Sequence, residues 1–152
     1  MSQPQRLNFL AQLYRDQAQE ALEALGRLQQ QREQQQQQIS QLQQYWQDYL
    51  QKMQTFAAQG ARAGQLIEFR LFIDKLEVAI QGQEKQLHKL TRQCEEAGEH
   101  WRQLHFKSKA LTEMADKAQA KVLKTQEDRL QKELDDRSAI NFRIKNGPKN
   151  AG

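Results

Sequence analysis

Three histidines and one cysteine are the residues of this sequence with the most versatile chemistry. Zinc motifs carried by a helix place two histidines four residues apart, because that spacing puts both rings on one face. His88, His100 and His105 lie at intervals of twelve and five residues, and Cys94 is the single cysteine. No glycine-rich phosphate loop or nucleophile elbow is present. We therefore expect no metal, no cofactor and no catalytic site, and predict that the protein is not an enzyme.

The composition is typical of long helices rather than of a globular enzyme. Of 152 residues, 38% are hydrophobic and 7% aromatic, with only seven glycines and two prolines. Gln, Leu, Ala, Lys, Glu and Arg dominate, as they do in coiled coils. No run of about 18 apolar residues exists, and the first residues lack the charged and apolar regions of a signal peptide. We expect a soluble cytoplasmic protein that does not insert into a membrane and has no internal disulfide.

Apolar residues recur at alternating spacings of four and three along the first half of the chain. Thirteen of the fifteen seam positions are apolar or aromatic, which predicts a supercoiled helix. The exceptions, Arg32 and Gln35, border a run of five glutamines, Gln34 to Gln38. We interpret this run as solvated helix with one polar layer that can fix the register. The seam positions are Leu7, Ala11, Tyr14, Ala18, Ala21, Leu25, Leu28, Arg32, Gln35, Ile39, Leu42, Trp46, Tyr49, Met53 and Phe56.

The same spacing resumes at Leu66 and continues to Val122, after an interruption by the segment AAQGARAGQ at residues 57–65. Gly60 and Gly64 in this segment suit a turn, because glycine adopts the left-handed conformations that end helices. The pattern predicts an all-α fold, a long two-helix antiparallel coiled-coil hairpin with unequal arms, as a single domain over residues 1–152. We expect a helix over about residues 5–57, a turn over about 58–65, a helix over about 66–142 and a frayed tail over 143–152.

The second arm is longer than the first, which predicts an unpaired end. A fold-back centred near Ala61 puts Leu7 opposite Ala115 and leaves the chain beyond about Ala118 without a partner. The exposed apolar stripe there either frays or binds another protein. We favour binding, because the whole net charge of +4 lies in residues 107–152. For the charge excess by itself, we favour a solvated helix face with mixed charges, and a docking surface for an acidic partner is the alternative. The stripe is Leu123, Leu130, Leu134 and Ile140.

A second surface is predicted beside the turn. Numbering the seam as heptad positions a and d makes Gln38, Tyr45, Phe72 and Ala79 all g positions, and g positions of antiparallel helices flank the same side. The two aromatic residues either widen the core or form a half-exposed patch beside Leu42, Tyr49 and Leu76. Aromatic residues lie apart from the basic residues, so we expect no nucleic-acid binding.

Two segments beside the turn carry a family resemblance. IEFRLFIDKLEVAI at Ile67–Ile80 and LQQYWQDYLQKM at Leu42–Met53, joined by the glycine-bearing turn, resemble the FliJ family of the bacterial flagellar export apparatus. The resemblance covers essentially the whole chain. It implies an antiparallel coiled coil, similar to the central stalk of rotary ATPases, that acts in flagellar type III secretion at the cytoplasmic face of the inner membrane. The implied partners are the hexameric export ATPase, the cytoplasmic domain of the export gate protein, and export chaperones.

The resemblance also implies particular binding residues. For the export gate it implies Gln38, Leu42, Tyr45, Tyr49, Phe72, Leu76, Ala79 and Gln83, of which Gln83 departs from the family pattern because a histidine is expected there. Our hypothesis for the ATPase ring uses both chain ends, with Leu7, Leu10, Tyr14, Leu123, Leu130 and Leu134. The stalk protein of a virulence injectisome, a generic coiled-coil scaffold and an RNA-binding helix are the alternatives.

Overall fold

The computed structural model describes residues 1–146 and consists of two long helices packed against each other. Helix α1 spans Gln3–Ala58 and helix α2 spans Ala63–Lys145, and no strand occurs in this part of the chain. The predicted all-α antiparallel coiled-coil hairpin is confirmed. Helix α2 extends three residues past the expected end near 142. Of the expected frayed tail, residues 143–145 are helical, and residues 147–152 lie outside the described part.

Helix α1 begins with a reciprocal cap. The Gln5 backbone N–H donates to Ser2 Oγ over 3.3 Å, and the Ser2 N–H donates to Gln5 Oε1 over 2.9 Å. This arrangement is a capping box, which satisfies two donors that the first helical turn would otherwise leave unpaired. Pro4 lies inside that turn, where its missing N–H costs nothing, and its ring is buried.

The connection between the helices is shorter than the sequence pattern indicated. Gly60 has a φ of 81° and is the one described glycine with a positive φ. The Ala61 N–H bonds to the Phe56 carbonyl over 2.9 Å and the Gly60 N–H to the Ala57 carbonyl over 3.3 Å. These bonds define a Schellman motif, in which one left-handed residue closes the helix. Gly64 therefore belongs to the first turn of α2 instead of the connection.

Replacing Gly60 with Ala is expected to destabilise the fold by about 1–2 kcal/mol, because an L-residue is strained in the left-handed conformation. Gly82 is the matched control, since it lies inside α2 and a Cβ there would meet nothing within 4 Å. Gly82→Ala should stabilise the protein by about 0.5–1 kcal/mol. Thermal unfolding followed by circular dichroism measures both changes. Equal stabilisation by the two substitutions would show that the turn does not need its glycine.

The chain divides into two compact units. The bend unit comprises Gln17–Leu104 and contains the turn, while the terminal unit comprises Met1–Asp16 together with His105–Gly152. In both units, the core is formed by the seam that the heptad spacing predicted. Every seam position is buried or half-buried except Phe56 and Val122, the last position of each series.

In the bend unit, the two helices pack through apolar layers with one polar interruption. Ile73 is 1% exposed and is the largest fully buried side chain among the described residues. The amide Nε2 of Gln35 donates to the backbone carbonyl of Gln83 over 3.2 Å and also to its side-chain oxygen. This pair forms the predicted polar layer, whose bonds require one register between the helices. The buried apolar residues of this unit are Ala18, Ala21, Ile39, Ile73, Leu76, Leu90 and Cys94.

In the terminal unit, small residues form the core. Ala11 and Ala115 are each 1% exposed, and Ser108 is buried with its hydroxyl donating to the His105 carbonyl over 2.7 Å. Arg15 Nη2 donates to Thr112 Oγ1 over 3.2 Å beside this core. All residues from 119 to 146 are exposed. The part of α2 beyond the start of α1 therefore presents its apolar side chains to solvent.

Candidate functional site

Residues 1–146 contain no group of three or more His, Cys, Asp or Glu side chains placed to hold a metal ion. Cys94 is buried in the bend unit, as expected for a small apolar core residue. No helix in the described range combines the length and apolar character needed to cross a membrane. Several large apolar side chains are exposed in the described range, and these form the candidate functional surfaces.

An aromatic cluster lies beside the turn in the bend unit. The rings of Tyr49 and Phe72 are 4.3 Å apart between centroids and inclined by 42°. Phe69 connects them to Phe56, with centroid separations of 6.3 Å from Tyr49 and 5.3 Å from Phe56. Aromatic pairs at such separations stabilise each other by about 0.5–1.5 kcal/mol beyond the area that they bury. The four rings line an open groove between α1 and α2.

Tyr45 extends this surface away from the turn. Its side chain is 46% exposed, and its hydroxyl accepts a hydrogen bond from Gln41 Nε2 over 3.4 Å. Phe72 is 41% exposed, so neither residue is required to fill the core. The Lys52 ammonium lies 5.1 Å from the Tyr49 ring centroid, a cation–π contact on the same flank. The half-exposed patch expected from the g positions is present. We call Tyr45, Tyr49 and Phe72, with their exposed neighbours Gln38 and Ala79, the bend patch.

The other residues implied for gate binding lie deeper. Leu42 is half-buried and Leu76 is 8% exposed, so these two side chains support the bend patch from the seam. Gln83 is half-buried and accepts the hydrogen bonds of Gln35 described above. Its side-chain amide is therefore engaged in the polar layer between the helices. The position that departs from the family pattern has a structural partner within the chain.

Sequence reasoning missed part of the exposed surface near the turn. Phe56 is 40% exposed although it occupies a seam position, because the seam ends there. Ile67, Leu71 and Val78 are between 57% and 69% exposed on α2. At about 100° per residue, Leu71 and Val78 lie about 20° apart around the helix. Each of them lies at least about 100° around the helix from Phe72. The heptad assignment could have revealed this exposure, because it places these residues outside positions a, d and g.

The residues of the ATPase-ring hypothesis lie in the terminal unit. Leu7 and Tyr14 are half-buried, and Leu10 is 40% exposed. The Lys107 ammonium lies 5.5 Å from the Tyr14 ring centroid. On α2, three leucines are about half exposed, and we call them the leucine stripe: Leu123, Leu130 and Leu134.

The leucine stripe does not continue the seam of the hairpin. A rotation of about 100° per residue places its three members within an arc of about 40°, about a quarter turn from Val122. Ile140, which the sequence pattern grouped with the stripe, points about 120° away from Leu134. After Val122 the apolar spacing shifts by one residue to Leu123, and this shift turns the apolar face of α2 to a new direction. A partner bound to the leucine stripe would approach α2 from a different side than α1 does.

Comparison with known proteins gives one family. No curated protein and no solved structure matches the chain. The model of the family described as flagellar FliJ protein matches residues 2–147, nearly the full length. The matched range includes both helices and the two segments beside the turn that carry the resemblance. The chain belongs to the FliJ family, and it is a coiled-coil protein related to flagellar protein export.

Proposed function

We propose that this protein is a nonenzymatic coupling component of the flagellar type III export apparatus. In this proposal the terminal unit binds the hexameric export ATPase and promotes its assembly and activity. The bend patch binds the cytoplasmic domain of the export gate protein. The observation that carries the proposal is the bend patch, since the aromatic residues implied by the family resemblance lie together and partly exposed on one flank.

The bend patch has the properties of a protein-binding surface. Tyr45 and Phe72 are large and partly exposed. The Tyr45 hydroxyl accepts a hydrogen bond from Gln41, and the Phe72 ring contacts the half-buried ring of Tyr49. Tyrosine and other aromatic residues dominate binding energy at interfaces, because they bury much area at a low cost in conformational entropy. The exposed part of these rings is the area that a partner would bury.

The terminal unit supports the ATPase part of the proposal through its uncovered leucines. A helix that carries three half-exposed leucines within one narrow arc is unusual for a solvated segment. Binding to a second surface would remove these side chains from water. The burial would stabilise the complex by about 25 cal/mol for each Å² of apolar area. Leu10 on α1 is also exposed in this unit, so both chain ends can contribute to the contact.

Export chaperones are further partners in the proposal, and the protein acts at the cytoplasmic face of the inner membrane at the flagellar base. The family membership and the proposed gate contact support both of these parts of the proposal. Peripheral attachment through a protein partner requires no membrane-spanning segment of this chain.

Affinity purification of the full-length chain from flagellated cells tests the proposal. We expect the export ATPase and the gate protein to be recovered together with it, and the bend-patch variant described below to lose the gate protein alone. Recovery of nucleic acid, or of injectisome subunits in place of flagellar ones, would contradict the proposed function. The same purification distinguishes a generic scaffold, which would retain neither of the two expected partners.

A further inference from the structure

An open groove lies in the terminal unit where α1 begins against α2. Pro4 and Leu7 of α1 form one wall, and Met114, Ala118 and Val122 of α2 form the floor and the other wall. Met114 is 52% exposed and Val122 is 40% exposed, so the groove presents apolar area to solvent. Its walls are two helices, and a groove between two helices is a common docking site for the apolar face of a third.

The charged residues along this groove are all basic. Lys117, Lys121 and Arg129 line it, and no Asp or Glu is among its lining residues. None of these three cations forms an ion pair within residues 1–146. The first turn of α1, which opens onto the groove, also contains no acidic residue to offset the positive end of the helix dipole. The groove thus combines an apolar floor with a rim of basic side chains, and we call it the basic groove.

The basic groove is distinct from the leucine stripe. At about 100° per residue, the α2 residues of the groove centre about 130° around the helix from Leu130. The leucine stripe and the centre of the groove therefore face different sides of α2. Leu7 also belongs to the proposed ATPase contact, and the peptide experiment below, which contains no ATPase, tests the groove separately from that contact.

We propose that the basic groove binds an acidic amphipathic α-helix of a partner protein. The helix would place its apolar side chains on Leu7, Met114 and Val122, and its carboxylates against the cations of the rim. A helical occupant suits the groove better than a nucleic acid does, because the floor is aliphatic and contains no aromatic ring on which a base could stack. Complementary charge also speeds the encounter and excludes basic helices.

Two designed peptides test this inference with the full-length chain. Both are helical and carry leucine at the same positions, with glutamate at the solvent-facing positions of one and lysine at those of the other. Fluorescence anisotropy should detect binding of the glutamate peptide only. The binding should weaken when salt is raised from about 0.1 M to about 1 M, because the screening length falls from about 10 Å to about 3 Å.

A pair of charge reversals localises the contact. Lys117→Glu with Lys121→Glu should weaken binding of the glutamate peptide by about tenfold or more. The control is Lys109→Glu with Arg137→Glu, which changes the net charge equally and alters exposed residues outside the groove. The control should change binding by less than about threefold, since only long-range attraction is affected. Met114→Gln, at an exposed site, should also weaken binding while leaving the circular dichroism spectrum unchanged.

Several outcomes would overturn the inference. These are no binding of the glutamate peptide, equal binding of the lysine peptide, or equal losses in the groove and control variants. Tighter binding of a single-stranded RNA homopolymer that competes with the peptide would identify a polyanion surface instead. Self-association that depends on Lys121, detected by sedimentation velocity, would identify a second copy of this chain as the occupant.

Discussion

Replacing Tyr45 and Phe72 together with alanine is expected to weaken binding to the cytoplasmic domain of the export gate by about a hundredfold. The two side chains are 46% and 41% exposed, so their removal takes away contact area without opening a cavity in the seam. The loss of the Tyr49–Phe72 ring contact should cost about 0.5–1.5 kcal/mol of stability, too little to unfold the hairpin. Isothermal titration calorimetry with the purified gate domain measures the affinity, and circular dichroism confirms helicity.

The matched control replaces Leu71 and Val78 with alanine. These residues are more exposed than Tyr45 and Phe72 and belong to the same unit, but they lie on another face of α2. The control should retain wild-type affinity, because its substitutions remove apolar area outside the bend patch. Unchanged gate binding by the Tyr45 and Phe72 variant, with intact helicity, would remove the bend patch from the proposal. Equal weakening by both variants would indicate a contact broader than this flank.

Replacing the leucine stripe with glutamine at all three positions is expected to abolish most of the stimulation of the export ATPase. Leu123, Leu130 and Leu134 are about half exposed and make no core of their own, so the thermal midpoint of unfolding should change little. Glutamine has a helix propensity close to that of leucine, which keeps α2 helical while it removes the apolar contact. The rate of ATP hydrolysis by the purified ATPase, measured with increasing amounts of the variant, reports the effect.

The control for the stripe places glutamine at Ile67, Leu71 and Val78, three comparably exposed apolar residues of the bend unit. This variant should stimulate the ATPase fully. Deletion of residues 119–152 is the more drastic form of the same test and should also prevent stimulation. If the truncated chain stimulates the ATPase as well as the complete one does, α2 beyond Ala118 has no part in the contact.

The two variants should also separate the two activities from each other. The bend patch lies in the bend unit and the leucine stripe lies in the terminal unit, so each substitution leaves the other surface intact. We therefore expect the bend-patch variant to retain ATPase stimulation and the stripe variant to retain gate binding. Loss of both activities in either variant would indicate a general effect on folding, which the circular dichroism measurement would detect.

Heptad spacing was sufficient to predict the two helices, their antiparallel pairing and the seam, because periodic burial is a local property of the sequence. Gln35 could be recognised as part of a polar layer from its seam position alone. The side of the hairpin that carries Tyr45 and Phe72 also followed from the heptad positions. The family model supports the same architecture over residues 2–147.

The tertiary structure decided which of these residues are available to a partner. Only the hydrogen bonds of the turn show that Gly60 closes α1 while Gly64 belongs to α2. Gln83 turned out to bond with Gln35 across the helices, and Phe56 and Phe69 joined the aromatic cluster at the bend. The basic groove forms between residues more than a hundred positions apart in the chain. Such contacts depend on the register and end points of the paired helices. A local sequence repeat does not determine either of these.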